Sequence, residues 1–206
     1  MARVSTSDSL TPTAAEALRR LLEGNERFLR GESRNTKFCL ETLTNLAAAQ
    51  RPYATILGCA DSRVAPEVIF DAGLGELFVI RVAGNVVSPE VMGSIQYAAA
   101  HLGTPLFLVL GHEGCGAVHA ALDALDRGAQ HKSRIARLLE NIVPALGAVS
   151  AASEDAQLRQ AVEANVRWAM QQVRATPEAK ERATEGRMML AGAVYEIGTG
   201  RVRMLA

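Results

Sequence analysis

Five neighbouring residues, Cys59-Ala60-Asp61-Ser62-Arg63, place a thiol, a carboxylate and a guanidinium directly after an apolar run that ends in Gly58. Charge at that density beside a buried segment requires a compensating partner, and a metal ion is one that takes thiolate directly. Further along, Gly111-His112-Glu113-Gly114-Cys115-Gly116 carries an imidazole and a second thiol at His-x-x-Cys spacing. Cys59, His112 and Cys115 make a donor set of two thiolates and one imidazole, which suits zinc. Three protein donors leave a fourth position open. The chain contains no Cys-x-x-Cys pair, which argues against a small structural zinc module.

Formal charge gives Asp61 and Arg63 their roles. Zinc with two thiolates and a neutral imidazole is neutral, so a coordinated carboxylate would make the site anionic and fill the open position. Arg63 can hold the Asp61 carboxylate in a bidentate, charge-assisted pair. A water then takes the fourth position, its pKa falls toward about 7, and Asp61 orients it. In the opposite arrangement Asp61 itself becomes the fourth ligand and closes the site. The pair is thus expected to be an orienting dyad and a gate.

Donors this far apart in sequence need a scaffold that gathers them. Residues 53–57, 77–82 and 106–110 are short, continuous apolar runs, as expected of central parallel strands covered on both faces. Helical spacing marks residues 91–102, 115–128, 135–146 and 158–173. Strands alternating with helices predict an α/β fold with a mostly parallel central sheet and flanking helices. Ligands collect beyond the carboxyl ends of such strands, where Cys59, Arg81 and His112 fall. An N-terminal helical arm begins at Thr11-Pro12, read as cap and first helical residue, and a second helix covers residues 40–49. Residues 188–205, with Gly198-Thr199-Gly200 between two runs, predict a C-terminal edge hairpin. The whole reads as one domain, 1–206, with the arm in 1–50, the zinc-site core in 51–130 and terminal helices and edge strands in 131–206.

The totals exclude several classes. Lys+Arg and Asp+Glu balance at 22 each, so no basic surface for nucleic acid is implied. Three cysteines cannot build a disulfide framework, and ligation in a reducing compartment suits them better. The first ten residues lack the apolar segment of a signal peptide, and no run approaches the ~18 residues that span a bilayer. A cytoplasmic location without membrane contact is the expectation.

Cys-x-Asp-Ser-Arg followed by His-x-x-Cys-Gly resembles the β-class carbonic anhydrases, with similarity over residues 50–116. The resemblance implies that Cys59, His112 and Cys115 bind one Zn2+ per chain and that Asp61 and Arg63 are the family's dyad. It also implies that Gln50 binds substrate and that the Gly116 N–H helps hold bicarbonate. The implied reaction is reversible hydration of carbon dioxide to bicarbonate and a proton by zinc-hydroxide attack, in a homodimer or homotetramer. Some bacterial members form an inhibitory bicarbonate pocket from a tryptophan, an arginine and a tyrosine. Arg81 and Tyr195 match the last two, but Ile56 stands at the tryptophan position, which favours the water-ligated form. Two other functions fit the same residues: hydrolysis of carbonyl sulfide or carbon disulfide, and non-catalytic bicarbonate binding with Asp61 on zinc. Cys39, His101, His119 and His131 read as packing or surface residues.

Overall fold

A computed structural model describes residues 12–34, 40–130, 132 and 134–206. Its centre is a five-stranded sheet in the order β2-β1-β3-β4-β5. The strands are β1 (Ala54–Gly58), β2 (Leu77–Arg81), β3 (Leu106–His112), β4 (Met189–Glu196) and β5 (Arg201–Met204). β1 pairs in parallel with β2 and β3, β4 joins β3 in parallel, and β5 returns antiparallel to β4. The C-terminal hairpin therefore sits at a sheet edge as expected, and its first strand also extends the parallel sheet.

Successive residues of a strand face opposite sides, and the core divides accordingly. Ile56, Leu106, Leu108 and Leu110 pack on one face with Ala17 and Leu21 of α1 (Ala14–Arg30) and with Ile69 of α3 (Pro66–Ile69). Leu57, Phe107 and Val109 pack on the other, against α4 (Pro89–Tyr97), α5 (Gly116–Arg127) and α7 (Glu154–Ala175). Every residue of β1 and β3 is buried, which explains why both are apolar apart from Thr55 and His112. Each such aliphatic side chain contributes roughly 1.5–3 kcal/mol on burial.

Three helix expectations are corrected. The arm starts at Thr13, whose side chain and Glu16 form a reciprocal capping box; Thr11 lies outside the described residues. The stretch 135–146 is not one helix but α6 (Arg134–Leu139) and a separate turn of 3-10 helix, Val143–Ala145, that holds Pro144. Proline has no N–H to give and clashes with the preceding turn, so continuous helix is blocked there. The helical spacing of 91–102 also changes character: α4 ends at Tyr97 and a wider turn, Ala98–Leu102, follows. α2 (Leu40–Ala48) matches its prediction, whereas α3 and α8 (Pro177–Thr184) are too short and polar to give a periodic signal.

Candidate metal centre

β1 and β3 deliver the first two donors because both strands end at the same sheet edge. Gly58, the last residue of β1, is in register with Leu110, so Cys59 emerges beside the end of β3, where His112 stands. Gly114, in the left-handed conformation at φ 63°, turns the chain, and Cys115 caps the start of α5. The donor atoms of Cys59, His112 and Cys115 lie within 4.8 Å of one another, and all three residues are buried.

The imidazole is prepared for ligation. His112 Nδ1 lies 2.9 Å from the Glu113 carbonyl, which can only accept, so Nδ1 carries the proton. Nε2 is left with a bare lone pair, buried and without a hydrogen-bond partner. A buried acceptor in that condition is costly unless something takes the lone pair, and a metal ion does so. The two thiols are coupled. A hydrogen bond from Cys115, opposed by burial, pulls the Cys59 thiol well below its ordinary value. The same bond, with burial, pushes Cys115 up. Cys59 Sγ also accepts from the N–H groups of Asp61 (3.4 Å) and Gly84 (3.3 Å). Two thiols and a neutral imidazole at this spacing fit zinc.

Asp61 lies beside the donors and turns away from them toward Arg63. Arg63 donates from Nε to Oδ1 (2.9 Å), from Nη2 to Oδ2 (2.8 Å) and from its backbone N–H to Oδ1 (3.0 Å). This arginine holds the Asp61 carboxyl far below the usual carboxylate range. Oδ2 is 3.9 Å from His112 Nε2. Arg81, at the end of β2, donates from Nε to the Cys59 carbonyl (3.1 Å) and from Nη2 to the Asp61 carbonyl (2.6 Å). It ties down the backbone on which Asp61 rides.

Of the other expected site residues, Gly116 opens α5, where an N–H has no acceptor within the helix. Gln50 does not join the cluster: it is exposed and precedes the amino end of β1, whereas Cys59 follows the carboxyl end. Tyr195 is buried, and its carbonyl accepts from the Glu113 N–H at 2.9 Å. His119 is exposed and pairs with Asp123 at 3.2 Å, and His101 lies against the Tyr97 ring. Cys39 and His131 lie outside the described residues. A cavity of about 820 Å3 on the outer face of α1 contains none of the donors.

Sequence reasoning missed two supports. The Arg81 contacts are to backbone carbonyls, which no side-chain pattern reveals. Asn165 of α7 donates to the Gly84 carbonyl at 2.8 Å. Its one signal was a polar residue inside the apolar stripe of a helix. No helix among the described residues is long and apolar enough to cross a membrane.

A family model described as carbonic anhydrase matches residues 54–202. A carbonic anhydrase of Mycolicibacterium smegmatis is 40% identical over 190 residues, covering 91% of each chain. One of Pseudomonas aeruginosa is 38% identical over 174 residues, 78% of this chain and 76% of that one. Among solved structures, a Coccomyxa β-carbonic anhydrase in complex with acetazolamide superposes with a TM-score of 0.72 at 30% identity, covering 91% of this chain and 86% of that one. A structure from a report on two tetrameric β-carbonic anhydrases of Sordaria macrospora gives 0.74 at 23% identity, over 93% and 98%.

Proposed function

The chain belongs to the β-carbonic anhydrase family, whose reaction is the reversible hydration of carbon dioxide, and from that premise we propose how its own residues divide the work. Cys59, His112 and Cys115 hold one zinc ion per chain. The observation that carries this is the buried His112 Nε2, without a hydrogen-bond partner, on a residue whose donor atom lies within 4.8 Å of both sulfurs. When bound, the ion supplies the Lewis acidity that brings deprotonation of water into the neutral range, about pH 7.

The chain's residues do the rest. Asp61 accepts a hydrogen bond from the attacking water and turns a lone pair toward the carbon of carbon dioxide. Arg63 keeps Asp61 ionised and aimed, since both carboxylate oxygens are already engaged by its guanidinium. Arg81 fixes the backbone beneath, and the Gly116 N–H receives an oxygen of bicarbonate. Arg63 is half-exposed, which leaves the dyad side of the centre open to solvent for exchange of product and proton. Gln50 precedes β1 and so contacts substrate only in a site shared between two copies of the chain. A homodimer or homotetramer accommodates this, and the half-buried apolar edge strand β2 offers a surface for it.

Replacement Cys59→Ser is expected to abolish bound zinc and carbon dioxide hydration together, measured by metal analysis and stopped-flow assay on one sample. Full hydration by a verified zinc-free variant would sink the assignment. Parallel assays with carbonyl sulfide and carbon disulfide determine whether the centre is confined to carbon dioxide.

A further inference from the structure

Asn165 sits midway along α7 among Ala161, Val162, Val166 and Ala169, the residues that face the sheet, and is 2% exposed. An amide is costly in such a stripe unless it is bonded. Its Nδ2 reaches the Gly84 carbonyl at 2.8 Å, and the Gly84 N–H in turn reaches Cys59 Sγ at 3.3 Å. Gly84 is thus gripped at both ends, by a helix on one side and by a donor sulfur on the other.

The local backbone needs that grip. Gly84 and Asn85 are consecutive residues in the left-handed region, at φ 68° and 44°. A Cβ at Gly84 would lie 2.7 Å from Ile142 Cδ1 and 3.1 Å from Ala117 Cβ, so the turn is also pressed from outside. α7 is itself closely seated on the sheet: a Cβ at Gly111, next to His112, would lie 2.5 Å from Val166 Cγ2. Asn165 is therefore held in a fixed relation to β3, the strand that carries His112.

We propose that Asn165 is a positioning residue of the zinc centre, gripping the Gly84 carbonyl so that the Gly84 N–H points at the Cys59 sulfur. The inference rests on the zinc reading above and extends it to a residue 106 positions beyond the cysteine it serves (165 − 59). An N–H···S bond draws electron density from a thiolate and restrains its lone pairs. Outer partners of this kind typically alter metal affinity 10–100-fold. Cys115 stands at the amino end of α5, so loss of Asn165 affects the two sulfurs unequally.

The test uses the full-length protein with cobalt or zinc loaded. Asn165→Leu keeps the volume and removes the donor. Its sulfur-to-cobalt charge-transfer band should move to lower energy, and its zinc dissociation constant should rise about tenfold or more in chelator competition. Met170→Ala, which loosens α7 where it covers Gly192, should lower the melting temperature and leave the band in place. An Asn165→Leu protein with the parental band and affinity overturns the proposal, as does an equal band shift in Met170→Ala. A parent without any thiolate-to-cobalt band overturns the zinc reading and this one together. Should Asn165→Leu not fold, Asn165→Asp sets an oxygen against the Gly84 carbonyl and is expected to move the band the same way. Should neither fold, parent protein loaded with a spin-active cadmium isotope decides: scalar coupling from the metal to the Gly84 amide proton supports the proposal, and its absence overturns it.

Discussion

Two of the aspartate–arginine pairs among the described residues use the same chemistry for opposite ends. Asp71 has a fully buried side chain and accepts from Arg27 Nε (2.6 Å), Ser33 Oγ (2.6 Å) and the Arg34 N–H (3.0 Å). The cluster ties the carboxyl end of α1 to the turn after α3. Asp61 keeps 18% of its side chain exposed, and its partner Arg63 keeps 55%. A buried pair is strongly destabilising to break, because the survivor remains as an uncompensated charge, whereas an exposed pair contributes little stability. In the proposed function, the bidentate pair at the rim of the three buried donors serves the reacting water rather than the fold. The first pair is expected to control folding and the second turnover.

Breaking each pair separates the two roles. Asp71→Asn is expected to destabilise the fold by roughly 3–5 kcal/mol while activity per folded molecule stays at the parental level; denaturant titration alongside active-fraction assays checks both. Asp61→Asn should lower hydration about a hundredfold, with bound zinc and melting temperature close to parental. A large loss of stability in this variant would erase the contrast. Arg81→Leu touches the site only through backbone carbonyls, so a loss of about tenfold in kcat is expected with zinc retained. If Arg81→Leu matched Asp61→Asn, the backbone anchor would matter as much as the dyad.

The smallest effect is expected at a third carboxylate, Glu163 of α7. Burial raises its pKa, but hydrogen bonds from Arg203 and Arg167 outweigh burial and bring it below the usual 4.5. A carboxyl depressed by folding stabilises the protein above its unfolded value, and that contribution disappears as pH falls through the lower folded value. The difference in melting temperature between the parent and Glu163→Gln should accordingly shrink on acidification below about 4.5. A difference that grows on acidification would mean that the arginines do not control this group.

The contrast between the pairs also separates what a linear reading reveals from what it conceals. Cys59, Asp61, Arg63, His112 and Cys115 carry functional groups at fixed spacings beside apolar strands, so the clustering of the three donors and the pairing of Asp61 with Arg63 were legible before any fold was known. The central strands were visible for a related reason: a run buried on both faces, such as residues 106–110 of β3, is apolar throughout. Asp71 gave no such signal, because its partners come from α1 and the segment after it, about 40 residues away. Asn165 was hidden in the same way, since its partner is a carbonyl that any residue possesses. Gln50 shows the converse limit: a spacing singled it out, yet it precedes the amino end of β1, away from the three donors. Pro144 could have warned that the apolar positions of 135–146 do not form one helix, because local covalent geometry there overrides periodicity.

The central claim is that two cysteines and one histidine hold the metal while Asp61 works beside it. Zinc K-edge absorption on the purified protein and on Asp61→Asn at neutral pH tests this most directly. Two sulfurs and one imidazole in both samples, with a shell unchanged by the substitution, is the expected result. A shell without sulfur, or one that loses an oxygen when Asp61 is replaced, would contradict the account.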